Sequence, residues 1–289
     1  MAVVKADGYG HDAKVVSEYA IKGGASQLGV ATLKEGIRLR SAGVKKPILI
    51  LGNLYKKRDL IISFKNDLMP TVSSIRECLI CNNIGKHFGL KFSLHLKVDT
   101  GMSRLGFESN KFVQQFEKIK SFENISIEGI YSHLSSADED NSLDPKSSTQ
   151  LQRLKFQELL KQINVDSNHN IKTHLANSAG MLLHEKFHFH MVRVGLSMYG
   201  YSPLAKIDKN LSLKPALFLK VKVAFIRIID QGVSVSYGGN FVSSRKTKLA
   251  VLSIGYADGV SRNLSGKINV IHNNKLYPQV GSITMDQMM

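Results

Sequence analysis

The sequence has no tryptophan, only two cysteines, and far fewer acidic than basic side chains, 23 Asp+Glu against 39 Lys+Arg in 289 residues. It also lacks a long hydrophobic run. No apolar segment approaches the roughly 18–20 residues needed to span a bilayer, which excludes a membrane-crossing helix. Lys5 and Asp7 interrupt the early apolar stretch, so no signal-peptide pattern is present and a cytoplasmic protein is the default expectation. The net charge of +16 invites a nucleic-acid reading. However, the excess is spread along the chain, Lys56-Lys57-Arg58 is its densest cluster, and neither an RNA-binding aromatic signature nor zinc-finger spacing accompanies it. A basic surface without a nucleic-acid partner is expected, and no metal is implied. Cys78 and Cys81 form a C-x-x-C pattern inside a helical-looking segment. At that spacing they share one helix face and are expected to pack as small apolar residues rather than act as a redox pair.

What is present is alternation. The 43% hydrophobic and 21% charged composition is that of an ordinary globular protein. Strand-like runs are predicted at 2–5, 27–31, 47–51, 69–72, 92–98, 127–133, 172–176 and 191–194, with helices between them at 12–22, 33–42, 74–88, 110–121 and 145–163. Asp144-Pro145 reads as an N-cap followed by proline at the first helical position. Strands alternating with helices argue for βαβ units and a parallel sheet. Eight strands in about 200 residues match a (β/α)8 barrel at the small end of its range. The rival is a doubly wound open sheet, which would usually carry a complete G-x-G-x-x-G turn after its first strand. Lys5-Ala6-Asp7-Gly8-Tyr9-Gly10 does not supply one. Beyond Pro203 the character changes to strand-like pieces at 217–229, 248–254, 267–271 and 278–283, divided by turn signals at Gly238-Gly239, Ser265-Gly266 and Asn273-Asn274. We therefore expect a barrel over 1–207 and an all-β domain over 208–289.

A barrel gathers its active site at the carboxyl ends of its strands. There the sequence places Lys5, the Lys97–Arg104 stretch, His133, His174, Asn177, Ser178, Arg193 and Gly195. Each has a plain structural reading, a core histidine or a solvated charge, but packing alone would favour apolar side chains at so many strand ends. A strand-end lysine ordinarily snorkels to water. If instead it is buried, it loses proton affinity and can form a Schiff base. The loops after strands 7 and 8, where barrels commonly hold phosphate, carry Ser178-Ala179-Gly180 and Gly195-Leu196. An amine facing a phosphate site suggests pyridoxal 5′-phosphate.

Taken in order, Val4–His11, Lys97–Phe107, His174–Ser178, Val192–Gly200, Gly255–Gly259 and Met285–Gln287 resemble the motifs of the alanine racemase family, across essentially the whole chain. The resemblance implies a pyridoxal-phosphate-dependent isomerase supplying D-alanine for peptidoglycan, built as a homodimer whose subunits share active sites. It implies that Lys5 holds the cofactor and serves as one of two acid/base groups, with Tyr256 from the neighbouring subunit as the other. Tyr9, Ser178 and the backbone at Gly195 and Leu196 would hold phosphate. Arg193, supported by His174, would face the pyridine nitrogen, and His133 and Asn177 would also line the cofactor. Arg104 would contact the phenolic oxygen and the substrate, oriented by Lys97, which is often carbamylated in this family. Met285 would lie near the substrate carboxylate.

Racemisation removes a Cα proton from one face and returns one to the other, a task suited to two bases on opposite faces. Tyrosine, with an ordinary pKa near ~10, needs nearby positive charge to serve as one of them. Measured against the family, the chain begins on the first barrel strand and ends just after Met285-Asp286-Gln287. The resemblance thus implies truncation at both ends and loss of a further phosphate-binding tyrosine. The alternatives are a racemase of another small amino acid such as serine, an impaired pyridoxal-phosphate-binding fragment, and a basic nucleic-acid-binding protein.

Overall fold

The computed structural model describes residues 1–139, 141–165, 171–205 and 211–289. These divide into two compact units, Met1–Leu217 and Phe218–Met289. The boundary expected near residue 208 falls on residues 206–210, outside the described set.

The first unit is the α/β barrel. Strands β1 (Ala2–Val3), β2 (Leu28–Val30), β3 (Ile48–Asn53), β4 (Met69–Val72), β5 (Phe92–Asp99), β7 (Ile125–Tyr131) and β8 (Lys172–His174) pair in parallel in that order, and the short β6 (Phe107–Glu108) pairs β5. The eighth position is filled by irregular chain rather than by the strand expected at 191–194. Val3 N donates to Val194 O at 2.8 Å and Val194 N to Met1 O at 3.0 Å, while His190 N donates to Thr173 O and Arg193 N to Ala176 O. A single parallel bridge, Ala2↔Val194, results, and the sheet is closed by these bonds.

These strands are apolar on both faces because both faces are covered. Outside, Leu28, Ile48, Ile50, Leu94 and Leu96 pack under the helices α2 (Ala13–Lys22), α3 (Leu33–Ser41), α4 (Lys57–Lys65), α5 (Ile75–Phe88), α6 (Ser109–Lys120), α7 (Ser148–Gln162) and α8 (Ser178–Leu183). Inside, Met1, Leu49, Met69, Tyr131 and Met191 form a separate cluster. Cys78 and Cys81 are free and buried on α5, and burial pushes both thiols far up, which suits packing.

Helix caps explain most boundaries. Thr32 and Glu35 form a capping box on α3, and Ser74 Oγ caps α5 through Glu77 N. The start expected at Asp144-Pro145 is corrected: α7 begins at Ser148, where Ser147 Oγ accepts from Gln150 N. Asp144 instead closes the preceding turn, its Oδ1 accepting from Lys146 N and its carbonyl from Ser147 N. A proline at 145 suits that turn equally well.

The second unit is mostly antiparallel. β9 (Val223–Ile229) pairs with β12 (Thr247–Leu252), β10 (Ser234–Val235) with β11 (Phe241–Val242), and β13 (Asn269–His272) with β14 (Lys275–Pro278). Two expectations shift: residues 217–222 precede the strand rather than join it, and β14 lies at 275–278 rather than 278–283. The cause of the second is the Asn273-Asn274 turn, whose φ values of +48° and +60° make a tight two-residue hairpin that starts the return strand at once.

Candidate functional site

Sequence register sets the site. Lys97 of β5, Tyr131 of β7 and His174 of β8 are direct parallel partners, so they form one inward layer; His95 and Gly129 pair in the layer below. Above that layer opens a cavity of about 290 Å³, a small-molecule volume, lined by Lys5, Tyr9, Lys97, Arg104, Tyr131, His133, Asp138, Asn177, Ser178, Arg193, Gly195 and Leu196 among others. All of the expected barrel residues except His174 line it. His174 lies directly behind Arg193, with its Nδ1 2.9 Å from Arg193 Nη1. Tyr256 and Met285 belong to the second unit. There they lie together: Tyr256 N donates to Thr284 O and Ala257 N to Met285 O, each at 3.0 Å, and both side chains are exposed.

Lys5 does not end the first strand. It heads a left-handed turn, α1 (Lys5–Gly10), in which Ala6, Asp7, Gly8 and Tyr9 all have φ between +50° and +63°. Left-handed backbone costs roughly 1–2 kcal/mol for each residue with a Cβ, and such strain persists where the surroundings over-determine it. Here Glu35 Oε1 accepts from Ala6 N at 2.8 Å, Asp7 Oδ1 accepts from Ala13 N at 3.1 Å, and Gly8 N donates to Val4 O. The turn leaves Lys5 exposed rather than buried at a strand end. The buried lysine is Lys97, only 4% exposed, its ammonium 5.5 Å over the Tyr131 ring. Burial, then Arg104 and Arg193, lower its pKa from 10.5 to about 8.

Arg193 is buried, with no acidic partner among the described residues. Its guanidinium donates to His174 Nδ1, to His133 Nδ1 at 3.0 Å, and to the carbonyls of Ser132 and Leu175. Burial lowers it to about 10, still a cation at neutral pH. Burial and then Arg193 push His133 far down, so its ring is neutral and accepts from the guanidinium. Arg104 stands on a loop fixed by Asp99, whose Oδ1 accepts from Gly101 N, Met102 N and Ser103 N.

The phosphate donors read from sequence are partly engaged within the chain. Ser178 Oγ accepts from Gly195 N at 3.0 Å and Ser197 N at 3.3 Å, while Asn177 Oδ1 caps α8 through Gly180 N. Asn177 thus shapes the helix start as well as the cavity wall. Gly195 is needed for space, because a Cβ there would sit 2.5 Å from Tyr9 Oη.

Four cations, Lys5, Lys97, Arg104 and Arg193, face this cavity against one carboxylate, Asp138. Among the described residues none of the four makes an ion pair. Such a site has charge left over for a phosphorylated, anionic ligand. An exposed primary amine at the rim adds a group that can condense with a carbonyl, so pyridoxal phosphate fits the residues present. Sequence reading missed His95, Tyr131 and Asp138. Tyr131 looked like one more strand apolar, while period-two alternation put His95 on the face of Lys97, the signal that could have found it.

The fold and this site define a barrel that binds a phosphorylated carbonyl cofactor. Profiles of the alanine racemase N-terminal domain and C-terminal domain match residues 1–203 and 216–289. An alanine racemase of Prochlorococcus marinus is 50% identical over 289 residues, all of this chain and 75% of that protein. The solved alanine racemase of Clostridium difficile superposes with a TM-score of 0.86 at 34% identity, over 99% of this chain and 74% of that one. The alanine racemase of Bartonella henselae, solved with covalently bound pyridoxal phosphate, gives 0.82 at 30% identity, over 99% of this chain and 77% of that one. The chain belongs to the alanine racemase family, whose members depend on pyridoxal phosphate. Among its described residues no helix is long and apolar enough to cross a membrane.

Proposed function

We propose that this protein is a pyridoxal-phosphate-dependent racemase that interconverts L- and D-alanine for peptidoglycan. It works as a cytoplasmic homodimer in which Tyr256 and Met285 of one copy complete the cavity of the other. The observation that carries the reading is the cavity itself, with an exposed lysine facing a buried, acid-free arginine in a chain of this family. Serine as the substrate, or an impaired fragment, is not favoured by relatives named alanine racemase.

Pyridoxal phosphate, when bound, supplies an electron sink that acidifies the Cα proton of the amino acid. Lys5 Nζ would hold the cofactor through its carbonyl carbon and would take or return the Cα proton on one face. Tyr256 Oη does the same on the other face, so the substrate need not turn over. Tyr9 Oη, Ser178 Oγ and Leu196 N would hold the phosphate, and His133 and Asn177 set the cavity walls. Arg193 would face the pyridine nitrogen as a donor; with a pKa of about 10 it stays a cation at neutral pH and would not readily protonate that nitrogen, so the electron sink supplied would be a weak one and transamination disfavoured. Arg104 holds the phenolic oxygen and the substrate carboxylate, with Met285 beside it. The neutral fraction of Lys97 adds CO2 with loss of one proton, and the carbamate so formed pairs with Arg104.

The test is a racemisation assay on L-alanine, D-alanine and L-serine with the parent protein and Tyr256→Phe. The parent is expected to racemise alanine faster than serine. Tyr256→Phe is expected to lose about 10²–10⁴-fold in rate while keeping the cofactor. Absence of racemisation by a parent protein loaded with pyridoxal phosphate would sink the reading.

A further inference from the structure

We propose that His95 is a positioning residue for Arg193, acting through His174. A directed chain of hydrogen bonds holds both imidazoles protonated on Nε2 and thereby aims the remaining N–H groups of the guanidinium into the cavity. The inference rests on the racemase reading, in which Arg193 serves the cofactor.

The direction of the chain follows from what each group can do. A guanidinium donates and cannot accept, so the 2.9 Å contact from Arg193 Nη1 makes His174 Nδ1 the acceptor. A neutral His174 then carries its proton on Nε2, which lies 3.0 Å from His95 Nδ1 and donates to it. His95 Nδ1 is therefore also an acceptor, and the His95 proton sits on Nε2. That last nitrogen is buried and has no hydrogen-bond partner among the described residues. Burial and the nearby cations keep both rings from charging, with His95 pushed down to about 3 and His174 well below its ordinary value.

An unpartnered buried N–H is unfavourable, and leucine at position 95 would remove it. What histidine adds is the Nδ1 acceptor. Without it, the proton that the guanidinium keeps on His174 Nε2 would be buried with no acceptor, which favours its move to Nδ1. A proton on Nδ1 would face the guanidinium, donor against donor, and drive Arg193 away from its place. The surroundings hold the chain in place. Tyr131 stacks on His174 with centroids 4.7 Å apart and planes 4° apart, carries Arg193 5.1 Å above its ring, and is tethered by a 2.7 Å bond from its hydroxyl to Thr71 Oγ1. Gly129, opposite His95 in register, leaves room for the imidazole, since any Cβ there would collide with the His95 ring.

The first test uses protein free of cofactor. In ¹⁵N spectra of the imidazole nitrogens at neutral pH, His95 and His174 should each show a protonated Nε2 and a bare Nδ1. A proton on Nδ1 of either ring would overturn the proposal. The second compares His95→Asn, whose carbonyl oxygen falls where Nδ1 lies, with His95→Leu. His95→Asn should keep the His174 tautomer and bind pyridoxal phosphate within about twofold of the parent. His95→Leu should bind it about tenfold more weakly and shift the absorption band of the bound cofactor, with a melting temperature close to that of His95→Asn. Equal behaviour of the two variants would refute the relay. Should His95→Leu not fold, His95→Gln takes its place, because its carbonyl reaches toward the Nε2 position and leaves the Nδ1 position empty. The tautomer measurement needs no racemase activity, so its failure is distinguishable from failure of the racemase reading, which the parent's turnover of alanine reports.

Discussion

Two loops at the mouth of the barrel each present a lysine to the same cavity, and they do so in opposite ways. After β1 the chain leaves the sheet at once, and Lys5 stands exposed at the head of a left-handed turn fastened by Glu35. After β5 the chain stays in the sheet past Lys97, which is buried over Tyr131, and only then turns, around Asp99. A place at a strand end therefore does not set the chemistry of an amine. The exposed lysine is free to reach a carbonyl carbon and retreat. The buried one is fixed, shares its surroundings with two arginines, and sheds its proton at about pH 8.

Removing the mobile amine should have the largest consequence. Lys5→Ala is expected to abolish the borohydride-fixable adduct with pyridoxal phosphate and to lower alanine racemisation by about 10²–10⁴-fold or more. The melting temperature should be nearly unchanged, since the side chain is exposed. If instead Lys97→Met removed the adduct and Lys5→Ala retained it, the roles of the two lysines would be reversed.

Lys97→Met comes next and should be read in stability as well as rate. The pKa of Lys97 is about 8 in the folded protein, against 10.5 for an ordinary lysine amine. Below pH 8 both states hold the proton, so the folded state bears the whole cost of the buried charge. Between about pH 8 and 10.5 the unfolded chain binds more protons, and stability rises with pH. In CO2-free buffer, Lys97→Met should therefore be more stable than the parent at pH 7, by about 2–3 kcal/mol, and the gap should close toward pH 10.5. Denaturant titrations across that range check it; a gap that widened with pH would show that Lys97 is not the buried cation described here.

The contrast between the two lysines also marks what was legible beforehand. Alternation located β4 at its exact bounds, because a parallel strand covered on both faces reads as a continuous apolar run, and it located α2, α3, α5 and α6 within a residue, while α4 and α8 were not read at all. The set of strand-end polar residues was legible too, since period and topology together put them on one rim. Exposure was not: Val3-Val4-Lys5 looks like a buried strand end, and nothing local in Ala6-Asp7-Gly8-Tyr9 announces four positive φ values in succession. Nor was His95, a single imidazole inside an apolar strand, whose meaning depends on His174, 79 residues away. The N-cap of α7 was misplaced because Asp144-Pro145 suits a turn as well as a helix start, and only the Ser147–Gln150 bond decides between them.

The smallest expected effects concern the two carboxylates that hold the loops. Glu35 accepts from the backbone N–H groups of Ala6, Ala31 and Thr32, and Asp99 from those of Gly101, Met102 and Ser103. Charge-assisted bonds of this kind contribute about 1.5–3 kcal/mol each when well buried, and less at these half-buried positions. If the lysines are positioned independently, Glu35→Ala should speed amide exchange at Ala6 and slow capture of pyridoxal phosphate by Lys5, leaving Gly101–Ser103 protected. Asp99→Ala should expose the Gly101–Ser103 amides and raise the alanine KM through Arg104, leaving Ala6 protected. Exchange that rose at both loops in either variant would mean that the two ends of the cavity move as one body, and the contrast between a mobile and a fixed lysine would have to be given up.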